Sequence, residues 1–350
     1  MDLTGLAQRL TRLWYQPQLS MALFPLLPLS ALFRLLVRSR GICYRYGVFQ
    51  SFRLPVPVIV VGNLTVGGSG KTPLVLWLVK QLQEHGWSPG IISRGYGGTG
   101  VGVQAVTPES EASVVGDEPL LLARRSKVPV FIGRDRVAAG RDLLKAYPEC
   151  RVIISDDGLQ HYKLQRSVEI AVFDGRGAGN ALLLPAGPLR EPLQRLSKVS
   201  AVVWNGARAG MAQTASARLS LPQFAMSLAG REFFSLTDAG RCCAVNELRG
   251  KRLYAIAGIG DPSRFFTQLE DLGLEFDAHP FPDHHHYSVQ DLAFASDGVL
   301  LMTEKDAVKC ARLPLGEAWV LPVAAQISTI TQGNSLLVSI LEKLNGFPPS

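Results

Sequence analysis

After residue 56 the chain alternates between two hydrophobic periods. Short runs of apolar and β-branched residues end in glycine or aspartate, and helical spacing follows several of them, notably over 73–84 and 136–146. The runs are VIVVG, PGIISRG, VPVFIG, RVIISDD, VEIAVFD and SAVVWNG. Strands that alternate with helices predict an α/β fold with a mostly parallel sheet.

A second series of the same kind follows a weakly patterned stretch rich in small residues, 208–235. It contains RLYAIAGIG, EFDAHPF, GVLLMTE and AWVLPVA, with helices predicted over 263–272, from Ser288 onward and over 334–344. The pattern therefore predicts two α/β/α domains after an N-terminal segment. The expected ranges are 1–50 for N-terminal helices, 51–225 for the first domain and 226–350 for a smaller second domain.

The first 50 residues have a different pattern. On a helical wheel one apolar face collects Leu3, Leu6, Ala7, Leu10, Leu13 and Trp14. The next apolar stretch, LSMALFPLLPLSALF, contains Pro25 and Pro28 and is shorter than the about 20 residues that a spanning helix needs. Two interpretations remain: a helix pair that lies in a membrane interface, and a helical hairpin packed on the protein's own core.

The charge distribution favours the membrane interpretation. The formal net charge is +7, and residues 1–53 contain seven arginines, no lysine and one acidic residue, Asp2. A neutral body with one basic, apolar segment is typical of a protein that meets an anionic lipid surface, and not of a nucleic-acid-binding protein. Five cysteines without C-x-x-C spacing indicate reduced thiols in a cytosolic compartment, and neither disulfides nor a zinc site.

The stretch TVGGSGKTP lies between the first predicted strand and a predicted helix. It fits the phosphate-loop pattern G-x-x-x-x-G-K-[ST], except that Thr65 occupies the place of the first glycine. Glycines let backbone N–H groups converge on phosphate oxygens, Lys71 would reach the β- and γ-phosphates, and Thr72 would bind Mg²⁺. The predicted ATP-binding residues are Thr65, Val66, Gly67, Gly68, Ser69, Gly70, Lys71 and Thr72.

Two acidic pairs are candidates for metal binding and proton transfer. Asp156 and Asp157 end an apolar strand, where phosphate-loop enzymes place a magnesium ligand, and the sequence does not separate the two. Asp117 and Glu118 lie in GDEP, and adjacent carboxylates in a dry site suit one base and one metal ligand.

Arginines and histidines supply the remaining candidates. GRDR contains Arg134 and Arg136, GPLREP contains Arg190 and Glu191, and the planar arginine fork suits phosphate oxygens. FPDHHHY holds three consecutive histidines whose side chains point in different directions, which favours one catalytic histidine over a zinc site. GIGDP indicates a turn, and TEKDAVK is a polar strand end to which the sequence assigns no role.

The motifs occur in one order: TVGGSGKTP, SRGYGG, GDEP, GRDR, SDDGLQH, LLPAGPLREP, FPDHH and TEKDAVK. Over roughly residues 1–310 the chain resembles the tetraacyldisaccharide 4′-kinase (lipid A 4′-kinase) family, and the threonine at position 65 resembles that family's form of the loop. The resemblance implies a P-loop NTPase-like first domain and a second α/β domain, with ATP and Mg²⁺ between them. It also implies N-terminal membrane docking at the cytoplasmic face of the inner membrane of a Gram-negative-type bacterium, as a peripheral or monotopic protein.

The same resemblance implies roles for individual residues. Asp117 resembles the family's catalytic carboxylate, and His284, the histidine after Asp283, resembles its partner, with Lys71 as the third catalytic residue. The metal candidates are Thr72, Glu118, Asp156 and Asp157, and the candidates on the side of the lipid substrate are Arg134, Arg190 and Glu191.

The implied activity is transfer of the γ-phosphate of ATP to the 4′-hydroxyl of a tetraacyldisaccharide 1-phosphate in lipid A biosynthesis. We expect a glycolipid substrate and an anionic membrane surface as partners, and no nucleic acid or obligate protein partner. One alternative is a membrane-attached regulatory ATPase or GTPase, although WNGAR has Asn205 without the lysine and aspartate of an N-K-x-D guanine reader. Another is a nucleotide-binding scaffold without enzymatic activity.

Overall fold

The computed structural model describes residues 3–16, 18–206, 215–216, 218–238 and 240–344, with side chains from residue 9 onward. N-terminal helices precede two β-sheets, of nine and six strands. Alternate residues of the central strands enter different hydrophobic cores, so each sheet has a core on both of its faces. The predicted α/β class is confirmed.

The N-terminal segment forms α1 (Leu3–Trp14), a 3-10 helix (Met21–Leu26) and α2 (Leu27–Arg45). The last two run on as one apolar helix of 25 residues, whose most apolar window has a mean hydropathy of 1.6. By length and composition this helix is able to cross a membrane. The expected interruption is therefore wrong: Pro28 lies in the first turn of α2, where proline breaks no helix hydrogen bond, and Pro25 is accommodated in the 3-10 helix.

Only a narrow side of this helix packs on the rest of the protein. Leu23 is fully buried, and Ser30 Oγ donates a hydrogen bond to the carbonyl of Leu183 at 2.7 Å. Only 11% of the apolar window is buried. The large exposed apolar side chains of this helix are Met21, Phe24, Leu29, Leu32, Leu35, Leu36 and Ile42. The interpretation as a hairpin packed on the protein's own core therefore holds only for the narrow side of this helix.

Eight strands of the first sheet come from the first part of the chain: β1 (Val58–Gly62), β2 (Pro89–Ser93), β3 (Gln104–Val106), β4 (Val130–Ile132), β5 (Val152–Asp156), β6 (Val168–Asp174), β7 (Ala201–Asn205) and β8 (Gln223–Ala229). They lie in the order β8-β7-β6-β1-β5-β2-β4-β3, and only β3 is antiparallel to its neighbour. The helices among them are α3 (Lys71–Glu84), α4 (Ala112–Val115), α5 (Asp117–Ser126), α6 (Arg136–Ala146) and a 3-10 helix (Leu193–Lys198). Every residue of β1, β5, β6 and β7 is buried, and these strands are accordingly mostly apolar, with polar residues chiefly at the carboxyl ends of β5, β6 and β7.

The second sheet contains β9 (Glu232–Ser235), β10 (Cys242–Ala244), β11 (Leu253–Ala257), β12 (Asp277–Pro280), β13 (Val299–Thr303) and β14 (Ala318–Leu321), in the order β10-β9-β14-β13-β11-β12. Its helices are α7 (Val245–Leu248), α8 (Ser263–Asp271), α9 (Glu304–Cys310) and a 3-10 helix (Gln290–Ala295). That 3-10 helix replaces the helix expected from Ser288. The stretch 208–235, which is weakly patterned in the sequence, contains β8 and β9, while 207–214 lie outside the described residues.

After the second sheet the chain returns to the first. β15 (Ala324–Thr329) pairs antiparallel with β8 and forms the ninth strand, and α10 (Leu336–Leu344) packs its apolar side on the core of the first sheet. The predicted boundary at 225/226 is wrong because β8 spans it. The predicted second domain also ends too late, because residues 324–344 belong to the first sheet and its core.

Candidate active site

The phosphate-loop residues connect β1 to α3, and glycines shape the turn. Gly67 and Gly70 have φ of 98° and 85°, in the left-handed region that favours glycine. Asn63 Nδ2 donates to the carbonyl of Gly67 at 3.1 Å, and Asn205 Nδ2 donates to that of Ser69 at 3.1 Å. A Cβ on Gly70 would lie 2.0 Å from Asn205 Nδ2, so only glycine fits there.

Asn205 therefore supports the loop. Its Nδ2 is bonded to the loop, and its Oδ1 accepts from Arg264 Nη2 at 2.6 Å. With both ends of the amide engaged, Asn205 does not act as a guanine reader, which removes the feature nearest to a GTPase motif.

Lys71 is the first residue of α3 and is 9% exposed. Its Nζ lies 3.5 Å from Asp157 Oδ1, and Arg190 Nη1 donates to Asp157 Oδ2 at 3.0 Å. Burial alone would raise the pKa of Asp157, but the charges of Lys71 and Arg190 outweigh it and lower that pKa to about 2. Asp157 is thus an ionised carboxylate whose oxygens are already engaged by two cations.

Asp156 differs from its neighbour. It ends β5, is 1% exposed, and burial together with Glu118 raises its pKa to about 7. Ser93 Oγ donates to its Oδ2 at 3.3 Å, while its Oδ1 is buried and receives no hydrogen bond from any residue that the structure describes. A buried carboxylate oxygen without a donor fits a cation, so Asp156 suits Mg²⁺ better than Asp157 does.

Asp117 begins α5 and is 5% exposed. His284 Nδ1 lies 3.0 Å from its Oδ2 and 3.1 Å from its Oδ1, so a residue of the second domain contacts a carboxylate of the first. Gly116, which precedes Asp117, has φ of 90°, and a Cβ there would lie 2.5 Å from the carbonyl oxygen of Tyr96. The Tyr96 ring lies 5.3 Å from the ring of His284.

His284 has φ of 61°, a conformation that non-glycine residues rarely adopt. Asp283 Oδ1 accepts from its backbone N–H at 3.1 Å and helps to hold that turn. His285 packs on Phe281, and His286 faces a smaller neighbouring cavity. Only one imidazole of the three contacts Asp117, as expected for consecutive residues.

Asp117 is ionised at neutral pH. Burial would raise its pKa, but the hydrogen bond from His284 and the charge of Lys305 outweigh it and lower the pKa to about 2. The hydrogen bond with Asp117 in turn raises the pKa of His284 above its usual value. Each group therefore favours the charged form of the other.

Lys305 is a residue of the site to which the sequence assigned no role. It lies in α9, within TEKDAVK, and its Nζ is 3.0 Å from Asp283 Oδ1, 3.2 Å from Glu118 Oε1 and 3.7 Å from Asp117 Oδ2. One ammonium group thus joins carboxylates of both domains beside the candidate base. The sequence assigned no role to this polar strand end, because the partners of Lys305 are far away in the sequence.

A cleft of about 550 Å³ separates the two sheets at this point. The loop from Gly68 to Thr72 forms one wall together with Glu118, and Lys305, Arg264 and the GIGDP turn form the other. GIGDP is the expected turn, and its Gly260 lies against Gly68. This volume and the mixture of polar and apolar side chains suit a nucleotide.

The three residues predicted on the lipid side lie in different surroundings. Arg190 contacts Asp157 beside Lys71, and Arg134 is exposed. Glu191 is 2% exposed and is bonded to Tyr162, to Gln160 at 3.2 Å and to Arg195 at 3.7 Å. A carboxylate with these partners holds its loop in place and does not reach a lipid in this conformation.

Arg136, the other arginine of GRDR, is buried beneath Asp156. Its Nη2 donates to the Asp156 carbonyl at 3.1 Å and its Nη1 to that of Gly133 at 2.9 Å. Arg136 therefore holds the ends of β4 and β5 together below the candidate metal ligand.

Known proteins resemble this chain over almost its full length. A family model described as tetraacyldisaccharide-1-P 4′-kinase matches residues 22–342. The tetraacyldisaccharide 4′-kinase of Dechloromonas aromatica (strain RCB) is 53% identical over 350 residues, covering 97% of this chain and 98% of that protein. The protein of the same name from Azoarcus sp. (strain BH72) is 52% identical over 326 residues, covering 93% of each.

A solved structure resembles the fold as well. The crystal structure of the "apo" form of LpxK from Aquifex aeolicus in complex with ATP matches with a TM-score of 0.76 and 30% sequence identity. The match covers 93% of this chain and 100% of that one.

Proposed function

The chain belongs to the tetraacyldisaccharide-1-P 4′-kinase family, and from this premise we propose how its residues carry out the reaction. It is an ATP-dependent kinase that transfers the γ-phosphate to the 4′-hydroxyl of a tetraacyldisaccharide 1-phosphate in lipid A biosynthesis. Its cofactors are ATP and Mg²⁺. The observation that carries the assignment of roles is the contact between Asp117 and His284 at 3.0 Å across the two domains.

Asp117 acts as the general base for the acceptor hydroxyl. A sugar hydroxyl has a high pKa, so an ionised carboxylate assists by taking its proton as the bond to phosphorus forms. His284 orients Asp117 and keeps it ionised through the hydrogen bond, and Lys305 adds a positive charge on the other side. Because His284 and Lys305 belong to the second domain, the base is complete only when the two domains are together.

The phosphate loop holds the nucleotide. Its backbone N–H groups and the N-terminus of α3 face the phosphates, and Lys71 neutralises charge on the β- and γ-phosphate oxygens. Mg²⁺ in kinase sites takes several of its ligands from phosphate and water and only one or two from protein carboxylates. Asp156, Glu118 and Thr72 would hold the ion, which when bound offsets phosphate charge.

The lipid-side roles remain proposals for Arg190 and Arg134. Arg190 binds Asp157 next to Lys71, so it is well placed to orient the acceptor sugar beside the transferring group. Arg134 is exposed at the start of the loop before α6, where a guanidinium can meet an anionic headgroup. Glu191 serves as a buried positioning residue for this loop.

The protein acts on a lipid A precursor, and its relatives come from Gram-negative bacteria. One apolar N-terminal helix is compatible with peripheral association with a membrane. We propose that the exposed apolar side of the helix Met21–Arg45 enters the anionic cytoplasmic face of the inner membrane and that the N-terminal arginines bind lipid phosphates. The support is the exposure of that side together with the seven arginines of residues 1–53.

The assignment of the base is tested by Asp117→Asn, which keeps the shape of the side chain and removes its basicity. The assay follows labelled phosphate from ATP onto the glycolipid in detergent micelles and identifies the product by mass. We expect kcat to fall by about 10²–10⁴-fold, with ATP binding retained. Asp297→Asn, at an exposed ion pair with Arg252, is the matched control. Unchanged transfer by the Asp117 variant would refute the assignment.

Membrane docking is tested by flotation with vesicles of anionic or neutral lipid. Replacing Leu32, Leu35 and Leu36 by serine should release the protein from anionic vesicles, since each of these side chains is more than half exposed. Val289, Leu219 and Val101 are exposed apolar residues elsewhere and serve as the control set. Full retention of the first variant on the vesicles would show that another surface docks.

A further inference from the structure

An arginine outside all the motifs above lies against the early part of the phosphate loop. Arg176 follows β6, and its Nη2 is 3.6 Å from the point where a Cβ on Gly67 would lie. Gly67 has φ of 98°, so the turn favours glycine, and the space beside it is taken by the guanidinium. The backbone N–H groups of a glycine-rich phosphate loop face the phosphates of the nucleotide, so Arg176 lies close to where those phosphates bind.

Asp174 holds this guanidinium in one orientation. Arg176 donates to Asp174 Oδ2 from Nε at 3.1 Å and from Nη2 at 2.6 Å, and its backbone N–H donates to Oδ1 at 2.9 Å. Asp174 is the last residue of β6 and is 8% exposed, so the anchor is rigid. Within the described part of the chain no acceptor is bonded to Nη1, and this edge of the fork is available to a ligand.

The end of the first N-terminal helix covers the other side of the guanidinium. The Tyr15 ring centroid lies 4.9 Å from Arg176 Cζ, within the range of a cation–π contact. The neighbouring Trp14 is fixed at two points: its Nε1 donates to the Pro185 carbonyl at 3.0 Å, and its own carbonyl accepts from Asn180 N at 2.8 Å. The seating of α1 therefore determines whether Tyr15 covers Arg176.

The loop after β6, which contains Arg176, is also hydrogen-bonded directly to the phosphate loop. Val66 N donates to the Pro188 carbonyl at 2.9 Å, and Thr65 forms a β-bridge with Leu189. A Cβ on Gly179 would lie 2.6 Å from the Trp14 carbonyl oxygen, so glycine allows the end of α1 to approach this closely. The N-terminal helix, the loop after β6 and the phosphate loop are thus one packed unit.

The other cations near the loop are already engaged. Lys71 and Arg190 both contact Asp157, and Arg264 donates to Asn205 at the far end of the loop, beside Gly70. Arg176 differs from them in its place, because its guanidinium lies at the early glycine Gly67, while its Nη1 has no acceptor among the described residues.

We propose that Arg176 is a further catalytic residue, whose free guanidinium edge contacts the terminal phosphate of ATP, and that Asp174 and Tyr15 are its positioning residues. This inference rests on the kinase function proposed above. Negative charge spreads over the equatorial oxygens of the transferring group, and an arginine supplied by the same chain stabilises it. Since Tyr15 directly follows α1, turnover of ATP depends on that helix being seated.

The test compares Arg176→Ala, Arg176→Lys and Tyr15→Leu in the full chain, with ATP and ADP as the binding probes. For Arg176→Ala we expect kcat to fall by about 10³-fold or more. ATP affinity should fall by about tenfold or more while ADP affinity is kept, because only ATP has the phosphate that loses a charged hydrogen bond. Arg176→Lys should recover little, because an ammonium group cannot bind Asp174 and a phosphate as a fork does. Tyr15→Leu should lower kcat by about 2- to 30-fold.

Arg241→Ala is the matched control, because Arg241 also lies over an aromatic ring, that of Trp319 at 5.3 Å, but in the second sheet. Turnover of Arg176→Ala within about threefold of the wild type would overturn the inference, given the size of effect expected of such an arginine. Equal weakening of ATP and ADP would also overturn it, since that pattern indicates a structural role alone. Failure of the wild type and of Arg241→Ala to phosphorylate the glycolipid would instead refute the proposed function.

Discussion

Replacing Lys305 by methionine removes one charge from the domain interface and keeps a side chain of similar length. Lys305 is 14% exposed on its side chain and faces Asp283, Glu118 and Asp117 at 3.0, 3.2 and 3.7 Å. Without the ammonium group, three carboxylates from two domains face one another. The pKa of Lys305 itself is raised, because these carboxylates outweigh the cost of burying it.

The size of the effect follows from these distances. Breaking a buried ion pair by removing one partner costs about 3–5 kcal/mol, and an opposite charge within about 4–6 Å lowers the pKa of an aspartate by about 1–3 units. Lys305 contributes to lowering the pKa of Asp117 to about 2. Its loss should therefore raise that pKa, and the acid limb of the pH–rate profile, by about 1–3 units.

The direction in which activity changes with pH follows from the role of Asp117 as the base. Asp117 accepts a proton only when it is ionised, so kcat/KM is retained above its pKa and lost below it. The same lowered pKa contributes to stability above the usual carboxylate range, and this contribution is lost as the pH falls toward 2. Lys305→Met should thus lose both activity and stability at a higher pH than the wild type does.

The assay is kcat/KM for the glycolipid from about pH 4 to pH 9, with thermal unfolding measured at each pH. Lys305→Arg keeps the charge and should leave the acid limb near its wild-type position. Lys251→Met removes an exposed lysine that pairs with Glu317 at 3.0 Å and controls for the loss of a positive charge as such. The wild-type limb lies near pH 2, below the assayed range, so the comparison is how far kcat/KM falls between about pH 7 and about pH 4. An equal fall for a folded Lys305→Met and for the wild type would refute the reasoning.

Three further variants probe the same cleft. Lys71→Ala should lower single-turnover phosphate transfer by about 10³-fold, and near-normal turnover would remove the loop from the active site. Affinity for Mg²⁺ in the presence of ATP should fall more steeply below about pH 7 in the wild type than in Asp156→Asn, because burial raises the pKa of Asp156 to about 7 and its proton competes with the ion. Titration calorimetry compares the two proteins at about pH 6 and about pH 8, and an equal fall in both would contradict the prediction, since protonation of ATP affects both alike. Gly116→Ala should lower kcat by about 10–100-fold, because its Cβ would lie 2.5 Å from the Tyr96 carbonyl and displace Asp117; an unchanged kcat would show that the turn adapts.

The sequence predicted those features that a short segment determines by itself. Gly70, Lys71 and Thr72 form a local turn between a strand and a helix, and the structure has the turn, the strand and the helix. Asp117 and His284 were paired through the resemblance to a family, and the structure brings them to 3.0 Å. The catalytic roles of these residues stay predictions until the variants above are measured.

Features that depend on tertiary contacts were missed. Lys305, Arg136 and Asn205 contact partners that are distant in the sequence, so spacing alone did not predict what these side chains hold. β15 was placed in the wrong domain because its antiparallel partner, β8, precedes the whole second sheet. The apolar stretch with Pro25 and Pro28 was expected to be too short for a spanning helix, because proline generally breaks a helix. In the structure Pro28 lies in the first turn of α2, where proline is tolerated.

The pairing of β8 with β15 has a consequence for how this enzyme is put together. Ala229 and Ala324 lie directly opposite each other on these antiparallel strands, so the chain leaves and re-enters the first sheet at almost the same point. Residues 230–323 thus form an insertion in what would otherwise be an ordinary hairpin. A short turn in its place would leave a nucleotide-binding core that lacks both the histidine and the lysine beside the base. The inserted segment thus supplies the two groups that hold Asp117 in its ionised form, while the proposed base itself belongs to the nucleotide-binding core.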